Sequence, residues 1–238
     1  MSLLELHEVT KRFGGVVANR KVSFAVGAAE IVGLIGPNGA GKTTVFNCVA
    51  GYYPPSAGRI LFEGRDLAGE PPEACAQHGI GRTFQIARSF ASMTACENVL
   101  TAALLKTKRV DVARAQAARW LDFVRLRALA DKPAASMTVS EQRRLAVARA
   151  LAIEPRLLLM DEVMAGLNPA EVAEVVDVVL QIRELGIACL IVEHVLEGIM
   201  PIADRIVVLD RGEKIADGTP AQVSADAAVI DAYLGTDA

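Results

Sequence analysis

Residues 36–44, Gly36-Pro37-Asn38-Gly39-Ala40-Gly41-Lys42-Thr43-Thr44, contain the pattern GxxxxGK[ST] in full. The apolar segment 30–35 before them predicts a buried strand, and residues 42–50 predict a helix that ends at Gly51. Glycines let backbone N–H groups close around phosphate oxygens, and the start of a helix adds positive potential. The stretch therefore predicts a phosphate-binding loop between a strand and a helix.

The polar side chains of this loop have separate expected tasks. Lys42 is expected to reach the β- and γ-phosphates of a nucleotide, and the Thr43 hydroxyl is expected to ligate Mg²⁺. A chance glycine-rich turn is the alternative, but it leaves the flanking strand and helix unexplained. The residues expected to contact the nucleotide from this loop are Gly36, Asn38, Gly39, Ala40, Gly41, Lys42, Thr43 and Thr44.

An acidic pair follows a second apolar run. Residues 157–160 are Leu157-Leu158-Leu159-Met160, and Asp161-Glu162 come directly after them. Asp161 is expected to hold Mg²⁺ through water, and Glu162 to polarise the attacking water as a general base. An isolated acidic pair at a strand end serves about as often as a helix cap or a solvated loop. The phosphate-binding loop in the same chain favours the catalytic interpretation.

Alternation of strands and helices predicts the fold class. Short strands are expected at 3–8 and 22–26, and further strands at 59–63, 157–160, 188–192 and 205–209, with a hairpin partner at 213–216. Asn168-Pro169-Ala170-Glu171 predicts a helix start with a capping box. We expect an α/β, RecA-like P-loop NTPase core with a mostly parallel sheet and a small antiparallel N-terminal part. The core comprises residues 1–85 and 151–238, and residues 86–150 form an inserted α-helical subdomain.

Composition excludes several classes of function. The net charge of −3 gives no general attraction to nucleic acid or anionic lipid. Cys48, Cys75, Cys96 and Cys189 form no CxxC pair, which argues against a zinc site and a disulfide framework. No segment has the length and apolar character of a membrane span.

The chain resembles the ATP-binding subunits of ABC transporters, because further motifs accompany the phosphate-binding loop and the acidic pair in that family's order. Gln85, in Gly81-Arg82-Thr83-Phe84-Gln85, matches the glutamine that senses Mg²⁺ and the attacking water. Residues 137–145, Met137-Thr138-Val139-Ser140-Glu141-Gln142-Arg143-Arg144-Leu145, occupy the place of the LSGGQ signature. Residues 165–168 match the D-loop.

Two further residues complete the resemblance. His194, in Val192-Glu193-His194, matches the switch histidine that contacts the γ-phosphate. Phe13, in Lys11-Arg12-Phe13-Gly14-Gly15, matches the aromatic residue that stacks on adenine. The resemblance implies ATP and Mg²⁺ as ligands, Glu162, His194 and Gln85 as catalytic residues, and Thr43, Gln85 and Asp161 around the metal. Thr138 and Ser140 would contact the nucleotide of a second subunit.

Finer similarity points to importers of branched-chain amino acids. It rests on residues 79–85, on Met93-Thr94 with Glu97-Asn98, and on the ending from Asp217-Gly218-Thr219-Pro220 to Ala232-Tyr233-Leu234-Gly235. Urea and amide importers and lipopolysaccharide exporters share parts of this pattern and remain alternatives. The resemblance implies two ATPase subunits, alike or different, docked near Phe90 and Met93 on a permease at the cytoplasmic face of the membrane. A solute-binding protein would be an indirect partner.

Two departures from the family pattern matter. Val163 stands where the family usually has proline, and Ser140 and Glu141 replace a glycine and the final glutamine of the signature. Ser140 adds a Cβ at a close backbone approach, and Glu141 adds negative charge near a phosphate. We therefore expect a poor homodimer and a weak ATPase when the subunit is alone.

Two rival classes fit less well. A soluble ABC ATPase of DNA repair or translation usually has a second cassette, zinc cysteines, a coiled-coil insertion or a basic face. A P-loop GTPase would need an NKxD motif, which does not occur in the sequence, and a small-molecule kinase would leave the signature-region helix unexplained.

Overall fold

The computed structural model describes residues 2–83 and 89–234. The strands in this part of the chain are β1 (Ser2–Phe13), β2 (Val16–Gly27), β3 (Ile31–Ile35), β4 (Ala57–Phe62), β5 (Arg65–Asp66), β6 (Ile80–Arg82), β7 (Leu157–Asp161), β8 (Ala188–Val192), β9 (Arg205–Asp210) and β10 (Glu213–Gly218). The α-helices are α1 (Lys42–Val49), α2 (Pro72–His78), α3 (Ala95–Ala103), α4 (Val110–Phe123), α5 (Val139–Leu151), α6 (Pro169–Glu184), α7 (Leu196–Ile199), α8 (Pro220–Ser224) and α9 (Ala227–Leu234).

The main sheet has the strand order β10-β9-β3-β8-β7-β6 within the described residues. Its pairs are parallel except for β9 with β10, which form the predicted hairpin. Every residue of β3, β7 and β8 is buried, as expected for strands covered on both faces. The predicted α/β fold with a mostly parallel sheet is therefore confirmed.

The two faces of this sheet pack against different layers. On β3, Val32 and Leu34 belong to an apolar cluster with α1 and the N-terminal strands, whereas Ile31 and Ile35 belong to a cluster with the later helices. This alternation follows from the two-residue period of a strand. The central strand is thus fixed from both sides, and the loop at its carboxyl end is held in place.

A smaller antiparallel sheet has the order β2-β1-β4-β5 and confirms the predicted N-terminal part. The predicted lengths of its first two strands were wrong, because each strand is 12 residues long rather than confined to 3–8 and 22–26. The polar residues between those segments break the apolar alternation. Shifts of register nevertheless let the backbone pairing continue to Phe13 and Val16 at the turn.

Helices α3, α4 and α5 lie between β6 and β7 in the chain and share one apolar cluster. The predicted capping box of α6 at Asn168–Glu171 is confirmed, and α5 also begins with a capping box, at Thr138–Glu141. In residues 2–83 and 89–234, no helix combines the length and the apolar composition that crossing a bilayer requires.

Candidate nucleotide site

A cleft of about 440 Å³ follows the loop between β3 and α1. Glu162 and His194 reach it from the ends of β7 and β8, and Arg211 reaches it from the turn between β9 and β10. The parallel sheet brings these loops together, because the carboxyl ends of parallel strands meet at one edge. The full lining is Val16, Val17, Ala18, Asn38, Gly39, Ala40, Gly41, Lys42, Thr43, Thr44, Glu162, His194 and Arg211.

Two glycines allow the loop to pack tightly against its neighbours. At Gly36 the backbone has φ 145°, and a Cβ would lie 2.0 Å from the carbonyl oxygen of Leu209. At Gly41 the backbone has φ 94°, and a Cβ would lie 2.6 Å from the carbonyl oxygen of Ala18. Any side chain at either position would push the loop away from β9 or β2, so both glycines are needed for this conformation.

Lys42 is buried, and its ammonium group is held by the loop itself. Its Nζ donates to the carbonyl oxygens of Gly36 at 2.7 Å and Pro37 at 2.9 Å. Burial lowers the pKa of Lys42, while the negative charges of Glu162 and Asp161 oppose this effect. The ammonium group therefore stands in a mostly dry site beside the cleft, where an added anion would interact with it strongly.

Asp161 is the last residue of β7 and is almost fully buried. Arg82 Nη2 lies 3.5 Å from its Oδ2, and Arg82 Nη1 donates to Asn47 Oδ1 at 2.7 Å. Burial raises the pKa of Asp161, and Arg82 acts in the opposite direction. No role for Arg82 was predicted from the sequence, although it stands within the quoted segment that leads to Gln85.

Glu162 meets His194 at the mouth of the cleft. Glu162 Oε1 lies 3.0 Å from His194 Nε2, and the Glu162 backbone has φ 49°. That left-handed conformation is uncommon for a residue other than glycine. A hydrogen bond from Glu162 N to the Val192 carbonyl oxygen at 2.9 Å holds it in place. The expected general base and the expected switch histidine are therefore in direct contact.

The loop after β7 has two more hydrogen bonds. Arg143, from α5, donates through Nη1 to the Val163 carbonyl oxygen at 3.0 Å. Met164 N donates to Glu193 Oε1 at 2.7 Å. Glu193 is fully buried, and burial raises its pKa to about 7, although the backbone N–H groups of Met164, His194 and Val195 oppose the shift. The only sequence signal for Glu193 is a carboxylate directly after a strand predicted to be buried.

The signature residues stand at the start of α5 and do not line the cleft of their own chain. Thr138 caps the helix, since its side chain accepts from Glu141 N at 3.2 Å, and Ser140 is buried. Glu141 Oε2 accepts from Thr138 N at 2.8 Å and from Lys132 Nζ at 2.7 Å. The hydrogen bond from Lys132 holds the pKa of Glu141 below its usual value.

Phe13 lies at the end of β1, opposite Val16 of the cleft wall, and its side chain is 43% exposed. Its ring meets Tyr53 edge-on, with centroids 5.2 Å apart, and Lys11 Nζ lies 5.0 Å from its centroid. One face of the ring is thus near a cation, and the ring is accessible for stacking. Gln85 lies outside the described residues.

The residues present fit a nucleotide with Mg²⁺. The loop offers backbone groups at a helix start and a buried ammonium group, and Thr43 and Asp161 supply the hard oxygen ligands that Mg²⁺ prefers. Among the residues that the structure describes, no group of three His, Cys, Asp or Glu side chains could hold a metal ion by itself. Mg²⁺ usually takes only one or two protein carboxylates and completes its shell with phosphates and water.

A phosphate-binding loop after β3, an acidic pair at the end of the parallel strand β7, and a histidine after the intervening strand β8 that faces the second acid define a P-loop ATPase cassette. The chain belongs to the ABC transporter family, whose sequence profile matches residues 19–165. A second profile, for the branched-chain amino acid ATP-binding cassette transporter, matches residues 213–238. The chain is thus an ATP-binding, ATP-hydrolysing protein of the transport type, and the resemblance drawn from the motifs is confirmed.

Curated relatives agree over nearly the whole chain. The high-affinity branched-chain amino acid transport ATP-binding protein BraF of Pseudomonas aeruginosa is 41% identical, over 98% of both chains. The corresponding protein LivG of Escherichia coli is 40% identical, over 98% of both. The lipopolysaccharide export system ATP-binding protein LptB of Acidithiobacillus ferridurans is 36% identical, over 98% of this chain and 97% of LptB.

Solved structures show the same architecture. The ADP conformation of an ATP-binding cassette of an ABC transporter has a TM-score of 0.89 at 28% identity, over 99% of both chains. A nucleotide-free ATP-binding cassette has a TM-score of 0.90 at 29% identity, over 98% of this chain and 99% of that chain.

Proposed function

We propose that the chain hydrolyses Mg-ATP in the described cleft to power a membrane permease that imports branched-chain or other hydrophobic amino acids. The observation that carries the chemical part is the 3.0 Å contact between Glu162 and His194 at a cleft lined by the phosphate-binding loop. The names of the relatives BraF and LivG, and the profile match at residues 213–238, support the class of solute.

Each residue has a defined task in this proposal. Lys42 neutralises phosphate charge, and Thr43, Asp161 and Gln85 hold Mg²⁺, which would supply further charge neutralisation when bound. Glu162 accepts the proton of the attacking water, and His194 orients Glu162 and contacts the γ-phosphate. Phe13 stacks on adenine.

We further propose that two ATPase subunits enclose each nucleotide between one chain's phosphate-binding loop and the other chain's Thr138 and Ser140. The exposure of Thr138 and Val139 at the start of α5, and the separation of this helix start from the cleft of the same chain, support this arrangement. Residues 1–85 and 151–238 form the nucleotide-binding core, and residues 86–150 move with the permease. Phe90, which is 49% exposed, and Met93 are the proposed apolar contacts. A solute-binding protein acts through the permease, at whose cytoplasmic face the subunit docks.

Lipopolysaccharide export is the second candidate, because LptB is 36% identical over almost its full length. Urea or amide import is a third, supported only by shared motifs. The profile match at the C-terminal segment favours amino acids over both. Purification with the permease that accompanies the subunit, followed by uptake of labelled leucine into vesicles supplied with the solute-binding protein, tests the choice. ATP-dependent uptake supports the proposal, and its absence with active ATPase excludes leucine as the cargo.

Lys42→Ala tests the nucleotide site. It removes the buried charge beside the loop, so binding of labelled ATP should weaken by at least about 100-fold. The matched control is Lys106→Ala on the surface of the loop after α3, which should bind ATP as the parent does. If Lys42→Ala binds as tightly as the parent, the cleft is not the phosphate site.

A further inference from the structure

We propose that Glu193 is a positioning residue for hydrolysis, which fixes the loop carrying Glu162 to the strand end carrying His194. The inference rests on the proposed roles of Glu162 and His194. It adds a residue to which the family resemblance gave no task.

Met164 joins the loop after β7 to the segment that carries His194. Met164 N donates to Glu193 Oε1 at 2.7 Å, so the loop after β7 is bonded to the residue directly before His194. The Met164 side chain packs against α7, as shown by Gly198, where a Cβ would lie 2.5 Å from Met164 Sδ. Both the backbone and the side chain of Met164 therefore hold the loop against the segment from Glu193 to α7.

The loop after Glu162 is held by hydrogen bonds and not by a proline. Proline would restrict the backbone after Glu162, but Val163 occupies that position and leaves φ free. Three hydrogen bonds act instead: Glu162 N to the Val192 oxygen, Arg143 to the Val163 oxygen, and Met164 N to Glu193. The acceptors of the first two bonds are backbone oxygens, which substitution cannot remove. The acceptor of the third bond is the Glu193 side chain, which substitution can remove.

The burial of Glu193 has an energetic cost. Glu193 is fully buried, and its Oε2 has no hydrogen-bond partner among the described residues. Although the backbone N–H groups of Met164, His194 and Val195 act on it, a buried carboxyl group still costs stability relative to an apolar side chain of similar size. Stability alone therefore does not account for a glutamate here, whereas an acceptor aimed at Met164 N does. A neutral carboxyl suffices for this task, in keeping with a pKa raised to about 7 by burial.

The test compares Glu193→Gln, which keeps an acceptor oxygen, with Glu193→Leu, which removes it. With the subunit purified together with its permease, steady-state ATP turnover should fall about 10-fold in kcat for Glu193→Leu, because a misplaced base loses rate without losing substrate binding. KM for ATP should stay within about 2-fold, since the phosphate-binding loop is untouched. Glu193→Gln should keep kcat within about 2-fold of the parent.

Leu121→Ala provides the stability control, because Leu121 is buried in α4, which carries none of the hydrogen bonds described for this loop. It should lower Tm but leave kcat of the folded protein unchanged. The proposal is overturned if Glu193→Leu keeps the kcat of the parent, or if Glu193→Gln loses as much as Glu193→Leu.

Amide hydrogen exchange gives a readout that does not depend on turnover, and protected amides of β8 in each variant serve as the internal check that it is folded. The Met164 amide should be protected in the parent and in Glu193→Gln, and should exchange at least about 10-fold faster in Glu193→Leu. Rapid exchange of Met164 in the folded parent would overturn the proposal. Failure of the proposed function has a different signature, since Lys42→Ala would then bind ATP as tightly as the parent whatever Glu193 does.

Discussion

Glu162 and His194 meet at 3.0 Å because they follow neighbouring parallel strands that end at the same edge of the sheet. Asp161 pairs in register with Val192, which places Glu162 and His194 just beyond the last paired residues. The topology of the sheet thus creates this contact, and the hydrogen bond from Glu162 N to Val192 maintains it.

Glu162→Gln should bind ATP and stall before hydrolysis, because the amide keeps the shape of the side chain but cannot accept the proton of water. We expect kcat to fall by at least about 100-fold and an ATP-bound dimer to accumulate with a competent partner. Turnover assays and size-exclusion chromatography in the presence of ATP check both outcomes. The surface variant Glu197→Gln serves as the control, and undiminished turnover of Glu162→Gln would remove Glu162 from the mechanism.

Phe13→Ala should weaken ATP binding by about 5- to 10-fold through the loss of stacking on adenine. The effect should be smaller for inorganic triphosphate, which lacks a base. Calorimetric titration of the two ligands measures the difference. Phe13→Trp should preserve affinity for ATP, and equal losses for both ligands in Phe13→Ala would place the base elsewhere.

The double reversion Ser140→Gly and Glu141→Gln should raise ATP-driven dimerisation and turnover of the isolated subunit. Ser140 removes the close backbone approach that glycine would allow. Glu141 carries a charge that would cost about 2 kcal/mol against a unit of phosphate charge at about 8 Å, at an effective dielectric constant near ~20. If neither quantity rises, or if the parent already turns over briskly as a homodimer, the altered signature has no functional weight.

The ion pair between Glu141 and Lys132 determines how much of the gain in dimerisation comes from each of the two reversions, Ser140→Gly and Glu141→Gln. Because Lys132 Nζ lies 2.7 Å from Glu141 Oε2, the carboxylate is partly neutralised, and Ser140→Gly should account for most of the gain. Lys132→Met should lower dimerisation in the parent but not in a Glu141→Gln background. Sedimentation of the four proteins with ATP provides this comparison, and an equal loss in both backgrounds would contradict it.

Glu193 predicts a specific dependence of stability on pH. Its carboxyl pKa is about 7 in the folded chain against 4.5 for the ordinary group, so folding favours the protonated form. This contribution is fully present below pH 4.5 and is lost as pH rises through 7, by roughly 3 kcal/mol in total. Glu162, His194 and Arg143 also lie near Glu193, and they are unchanged in Glu193→Gln.

Denaturant unfolding of the parent and Glu193→Gln from pH 5 to pH 8 isolates this contribution. The difference between their free energies of unfolding should shift in favour of Glu193→Gln as pH rises. A difference that does not vary with pH would show that the group does not titrate in this range.

Most of the fold could be predicted from local sequence patterns, because these patterns by themselves determine the type of element and where it begins or ends. The loop before α1, the cap of α6 and the fully apolar strands β7 and β8 each combine periodicity with a boundary residue. The extent of β1 and β2 could not be predicted, because pairing across the register shifts depends on the partner strand and not on either sequence alone. Arg82, Lys132 and Glu193 were missed as partners for the same reason, since each acts on a residue distant in the chain.

The hydrogen bond from Arg143 to the Val163 oxygen joins the helix that begins with the altered signature to the loop that follows the general base. If α5 tilts as the subunit engages a partner, Arg143 must either move the loop with the helix or lose its hydrogen bond to the Val163 oxygen. Binding of a partner at α5 would then change the position of Glu162 in the same chain. The guanidinium group of Arg143 would thus connect the helix that meets the partner to the loop that carries the general base.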